Sequence, residues 1–87
     1  MPRVFIPPLL QRFTSGEDFV EIEGSTVREV VQNLEVEYPG IRDRICQEDR
    51  INPGIAVAVD GQISNEGMRR KVGPDSELQF IPAIGGG

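Results

Sequence analysis

Two hydrophobic periods alternate along this chain. The run Arg3-Val4-Phe5-Ile6 alternates and stops at Pro7-Pro8. After the turn signal Thr14-Ser15-Gly16 a second run, Phe19 to Glu23, sets Val20 and Ile22 on one face and Glu21 and Glu23 on the other. Two strands joined as a hairpin are predicted, in a sheet with one dry side and one wet side. The cover for the dry side follows directly. Val27, Val30, Val31, Leu34 and Tyr38 fall at i, i+3, i+4, i+7 and i+11, a single apolar stripe at helical period. Thr26 with Glu29 predicts a capping box at its start, and Pro39-Gly40 a stop at its end. Arg28, Glu29, Gln32, Glu35 and Glu37 are left for the solvent side.

Beyond the helix, Ile41 to Ile45 reads as a short helical turn and Gln47 to Gly54 as a polar loop. Ile55 to Val59 is apolar on both faces, which predicts a central, largely buried strand. Asp60-Gly61 is a tight-turn pair leading to a short partner strand at Gln62-Ile63. Ser64 to Gly73 is irregular, with Met68 and Val72 as anchors, and Pro74-Asp75-Ser76 turns the chain into a last strand, Glu77 to Ile81, with Leu78 and Phe80 facing one way. The expected fold class is α+β: one mixed sheet covered by one main helix, in a single domain.

Composition narrows the function. Nine basic against fourteen acidic residues give a net charge of −5, which argues against a nucleic-acid partner; Arg69-Arg70-Lys71 is the one basic run. With no His and a single Cys, a Cys/His zinc site, a Ser-His-Asp or Cys-His pair and an internal disulfide are excluded. Cys46, beside Ile45, reads as a small core hydrophobe. The apolar stretch Val4 to Leu10 is short and broken by Pro7-Pro8, resembling neither a signal peptide nor a spanning helix, so no membrane role and a cytoplasmic location are expected.

The last strand runs into Pro82-Ala83-Ile84-Gly85-Gly86-Gly87. Three glycines contribute nothing to a core, yet they make a slender acyl terminus that can enter an enclosed site. Five residues from Ala83 to Gly87 can extend roughly 17 Å at ~3.3–3.6 Å each. Taken with the order of elements, the Thr26-Val27 helix start, Leu34, Tyr38-Pro39 and Asp60-Gly61, the ending Leu78 to Gly87 resembles the ubiquitin-like sulfur-carrier family, the ThiS, MoaD and CysO type. Ile6-Pro7, Leu10, Thr14, Gly16, Leu34-Glu35, Tyr38, Gly40-Ile41, Arg44 and Ile81-Pro82-Ala83-Ile84 are most similar to the CysO subgroup.

The resemblance implies a β-grasp (ubiquitin-like) domain over residues 1–84 and a flexible glycine tail over 85–87. It implies a carrier rather than an enzyme, with no bound cofactor and no metal. Gly87 would be adenylated, with ATP consumed by an E1-like adenylyltransferase/sulfurtransferase, and converted to a thiocarboxylate. Gly85, Gly86 and Gly87 would be the tail inserted into partner enzymes, and Phe5, Ile81, Pro82 and Ile84 would dock the partner. The sulfur acceptor would be a synthase of the cysteine-synthase type or the large subunit of molybdopterin synthase. A thiamin sulfur carrier and a ubiquitin-like protein modifier use the same tail and stand as alternatives.

Overall fold

Within the long helix the apolar stripe is sealed: Val27, Val30, Val31 and Leu34 are all fully buried, while Tyr38, just past the helix end, is half-buried. The fully buried residues lie on α1 (Val27–Glu37), which packs across one face of a sheet. The computed structural model describes residues 1–82. Its strands are β1 (Arg3–Phe5), β2 (Phe19–Glu21), β3 (Cys46–Gln47), β4 (Arg50–Ile51), β5 (Ile55–Val59), β6 (Gln62–Ile63) and β7 (Glu77–Pro82), and a short helix α2 (Arg42–Ile45) follows α1. The main sheet has the order β2-β1-β7-β5-β6. β1 and β7 are parallel while the other neighbours are antiparallel. This is the mixed sheet and single covering helix of a β-grasp.

Register explains which side chains meet the helix. Val4 pairs with Val20 on one side and Leu78 on the other, and Val59 pairs with Leu78. Side chains alternate across a sheet, so Val4, Val20, Leu78, Phe80, Val57 and Val59 face α1 together, joined by Ile41, Ile45, Met68 and Val72 from the connecting segments.

Several elements differ from the sequence pattern. β1 and β2 are joined through a 3-10 segment, Pro8–Thr14, whose buried Leu10 and Thr14 hold the connection against the core. The chain then reverses through Ser15 and Gly16, both at positive φ. Asx- and glycine-type turn residues commonly take that conformation. At the helix start, Thr26 Oγ1 accepts the Glu29 N–H at 3.2 Å as a cap, but the Glu29 carboxylate reaches past Thr26 to accept from Ser25 N–H and Ser25 Oγ, each at 2.8 Å. The reciprocal half of the box is thus displaced by one residue. The expected polar loop at Gln47 to Gly54 contains a two-stranded ribbon, β3 with β4, closed by Glu48 and Asp49 at φ 52° and 61°. Two positive φ values in a two-residue connection match the twist of a tight hairpin.

The Ile55–Val59 strand is not central. β7 holds the middle of the sheet, and β5 lies between it and the two-residue β6. β6 is too short to flank β5 along its length, so Ile55, Ala56 and Val57 stay half-buried while Ala58 and Val59 are buried. Three of the charges expected to be solvated also do structural work. Besides Glu29, Arg28 makes a two-pronged contact with Asp49, with nitrogen–oxygen distances of 3.3 and 3.2 Å, and Glu35 accepts the Gly40 and Arg42 N–H groups, both at 2.9 Å. The first ties α1 to the β3–β4 ribbon; the second closes the corner between α1 and α2.

Candidate functional site: the tail root and the open face of the sheet

The face of the sheet turned away from α1 carries the residues that alternate with the core. From β1 come Arg3 and Phe5, from β2 Phe19 and Glu21, from β7 Glu77, Gln79 and Ile81, from β5 Ala56 and Ala58, and from β6 Ile63. Their distribution is uneven. At the start of β7 the row Glu21, Arg3, Glu77 is charged, with the Arg3 guanidinium 3.8 Å from the Glu77 carboxylate. Further along β7 apolar side chains from β1, β2, β5 and β6 surround the exposed Gln79, which pairs with Phe5 on one side and Ala58 on the other. Phe5 and Phe19 stand side by side with ring centroids 6.0 Å apart and planes inclined at 43°, an arrangement aromatic pairs favour. Arg3 also lies 5.1 Å from the Phe19 ring centre and closes the patch on its charged side.

Ile81 is 39% exposed, Phe19 41% and Ile63 63%, values at which large apolar groups remain open to a partner. Ala56 and Ala58 place only methyl groups between Ile81 and Ile63, so the patch has a shallow floor. Its position follows from the topology. β7 is the central strand and ends at Pro82, which pairs with Ile55, while Ile81 pairs with Ala56. Pro82, the last described residue, therefore lies at the apolar end of the middle strand.

Of the sequence-predicted docking residues, Phe5 and Ile81 share this face, and the Pro82 backbone forms the last rung with Ile55. Ile84, Gly85, Gly86 and Gly87 lie outside the described residues, as does the boundary between domain and tail. Phe19 and Ile63 were not singled out from the sequence. Phe19 was signalled by alternation, since it falls on the Glu21 side of its strand, whereas the placement of Ile63 depends on the β5–β6 register.

Among the described residues no three His, Cys, Asp or Glu side chains come together to hold a metal ion, and no helix is long and apolar enough to cross a membrane. Cys46 is buried, with Sγ 4.0 Å from Met68 Sδ. Burial pushes its thiol up, against the opposing pull of Arg42, so it is a poor nucleophile at neutral pH.

With this geometry in hand, comparison with known proteins is decisive: the model of the ThiS family matches residues 5–87. The chain belongs to the ThiS family. It is 29% identical over 91 residues to the sulfur carrier protein CysO of Mycobacterium tuberculosis, covering 97% of this chain and 96% of that one. Among solved structures, that of the Amycolatopsis orientalis BexX/CysO complex is similar over 100% of both chains, at 31% identity and a TM-score of 0.93. Small archaeal modifier protein 1 of Methanosarcina acetivorans shares the fold, with a TM-score of 0.80 at 20% identity over 99% of this chain and 95% of that chain. The β-grasp and the likeness to CysO expected from the sequence both hold.

Proposed function

We propose that this ThiS-family protein is a sulfur carrier whose Gly87 carboxylate is activated as an acyl adenylate and converted to a thiocarboxylate, most in keeping with the supply of sulfur for cysteine biosynthesis. The observation that carries the reading is the apolar patch of Phe5, Phe19 and Ile81 at the end of the sheet where the central strand runs out toward the glycines. A carboxylate is a weak acyl donor, so its activation needs an enzyme that grips the domain while it takes in the terminus. Docking an apolar face next to the point where the tail departs supplies the grip, and glycine at 85 to 87 supplies a main chain thin enough to be enclosed. The domain contributes no reacting side chain; the chemistry falls to its partners, an E1-like adenylyltransferase using ATP and a sulfur-accepting synthase in the cytoplasm.

The cysteine assignment rests on the likeness to CysO proteins. In the corresponding reaction the Gly87 thiocarboxylate sulfur adds to an aminoacrylate held on pyridoxal phosphate, and acyl transfer from sulfur to nitrogen leaves a cysteine residue on the terminus. The test uses the full chain with ATP, a sulfide source and the E1-like enzyme of the same organism, followed by a pyridoxal-phosphate synthase with its amino-acid substrate. The intact mass should first rise by the difference between sulfur and oxygen, localised to Gly87, and then reach the starting carboxylate's mass plus one cysteine residue. Thiocarboxylate formation followed by sulfur delivery only to a molybdopterin precursor or a thiazole synthase would overturn the cysteine assignment. A terminus left unmodified would overturn the carrier reading itself.

A further inference from the structure

Lys71 is the single lysine in the sequence; the other eight of nine basic residues are arginine. Both residue types solubilise a surface, but only lysine carries an amine that can lose its proton and attack an acyl group; the arginine guanidinium remains protonated. This composition matters if the chain carries an activated C-terminal acyl group, and so the inference rests on the reading of Gly87 given above. An activated terminus within reach of an amine on its own domain would close into a dead-end amide.

The position of Lys71 can be followed through the backbone. β7 and β1 start together, with Arg3 N–H donating to Ser76 O, and the tail root lies at the opposite end of β7, where Pro82 pairs with Ile55. β2 runs back against β1, so its end lies beside the start of β1, where Ile22 N–H donates to Pro2 O. Three residues on, Ser25 O accepts from Val72 N–H, and Val27 N–H donates to Arg70 O, with Thr26 opposite Lys71. Lys71 is therefore an exposed residue at the pole of the domain away from the tail root. The other amine, at Met1, lies at this same pole, beside Ser25 and Val72, and the Cys46 thiol is removed by burial.

We propose that this domain is stripped of acyl acceptors around its tail root, so that activated Gly87 resists intramolecular capture, and that Lys71 is its one side-chain acceptor, reached only by the terminus of a second copy. In such a transfer the Lys71 Nζ lone pair attacks the Gly87 carbonyl carbon of the other copy. The C–N bond forms, the bond from that carbon to the leaving group breaks, and the amine proton passes to the departing group.

The experiment needs no partner enzyme, which separates it from the test of the carrier reading. The full chain is prepared as a C-terminal alkyl thioester and incubated at mildly alkaline pH as wild type, as Lys71→Arg, and as Gln79→Lys. The last places an amine on the open face beside Ile81, near the tail root. Gln79→Lys should form an internal amide, seen as loss of the thiol without gain of water. With an effective concentration in the millimolar range against about 10 μM protein, this should run about 100-fold faster than any transfer between copies. Wild type should hydrolyse, with a concentration-dependent minor dimer joined through Lys71 on peptide mapping, and Lys71→Arg should abolish that side-chain-linked dimer. Internal amide formation onto Lys71 in wild type at a rate near that of Gln79→Lys would overturn the proposal. So would a side-chain-linked dimer that persists undiminished in Lys71→Arg. Thermal melts of the free-acid forms verify that each variant is folded.

Discussion

Adding one methyl group at Gly24 tests how tightly the helix is set against the sheet. Gly24 has φ +154°, and a Cβ built on it would stand 2.7 Å from Val30 Cγ2, 2.8 Å from Val30 N and 3.1 Å from Val30 Cα. A side-chain methyl can rotate away; the backbone nitrogen cannot. To restore an ordinary 3.4 Å contact the first turn of α1 must retreat by about 0.6 Å, the difference between 3.4 and 2.8 Å. That turn carries the Val30 N–H to Thr26 O bond at 3.0 Å and the fully buried Val30, so its retreat loosens a hydrogen bond and a core contact together. Overpacking costs about 1–3 kcal/mol, and a side chain in a glycine-type conformation adds about 1 kcal/mol or more. Gly24→Ala should therefore lose about 2–4 kcal/mol.

Gly16→Ala is the matched control. Gly16 also has positive φ, +87°, but a Cβ there meets nothing within 4 Å, so only the conformational cost of about 1–2 kcal/mol remains. Urea unfolding followed by far-UV circular dichroism, with equal m-values, compares the two directly. Adding Val30→Ala to Gly24→Ala should recover only part of the loss, because the clash with Val30 N survives. Losses that agree within about 0.5 kcal/mol, or complete recovery in the double variant after correction for Val30→Ala alone, would refute the steric reasoning.

Leu34→Ala, which empties a fully buried position in the middle of α1, should cost about 2–5 kcal/mol in the same assay; a loss below about 1 kcal/mol would contradict the packing. Glu35 is held below the ordinary carboxylate value near 4.5 by the N–H groups of Gly40 and then Arg42. A lowered folded-state value means that its contribution is complete above the unfolded value and is lost as pH falls through the folded one. Glu35→Gln should flatten the stability–pH curve below about pH 4.5, and an unchanged slope would show that Glu35 does not titrate with folding. On the open face, Phe19→Asp and Ile81→Asp should leave the melting temperature within a few degrees of wild type while weakening binding to the activating enzyme about tenfold or more, as loss of about 1.4 kcal/mol of apolar contact does. Wild-type binding by both variants would move the docking surface elsewhere.

How much of this was legible in the chain depended on whether a feature is local. The α1 stripe is local: its period, cap and stop lie within fifteen residues, Thr26 to Gly40, and each was readable. The work done by its charged face was not. Arg28 meets Asp49, twenty-one residues away, and Glu35 folds over its own helix end to bind N–H groups past a Pro-Gly stop; neither partner is marked by periodicity. The β3–β4 ribbon was hidden because its turn uses Glu48-Asp49 instead of a glycine-containing pair. The apolar character of β5 on both faces reads as burial in a central strand, yet on the open side it comes from Ala56 and Ala58 flooring an exposed patch.

The site divides along the same line. The glycine ending is a contiguous motif and needs no fold to be noticed. The patch beside the tail root is assembled from β1, β2, β5, β6 and β7, and it exists only because parallel pairing sets Arg3 against Glu77, bringing the two ends of the sequence to neighbouring strands. A sequence reading could therefore point to Gly87 as the proposed acyl donor while naming only Phe5 and Ile81 among the exposed apolar residues of this face. The aromatic pairing of Phe5 with Phe19 is what makes that surface more than two isolated apolar residues: an aspartate at 19 removes one ring of the pair and leaves the other standing alone, so binding should fall further in Phe19→Asp than the area of a single exposed side chain would suggest.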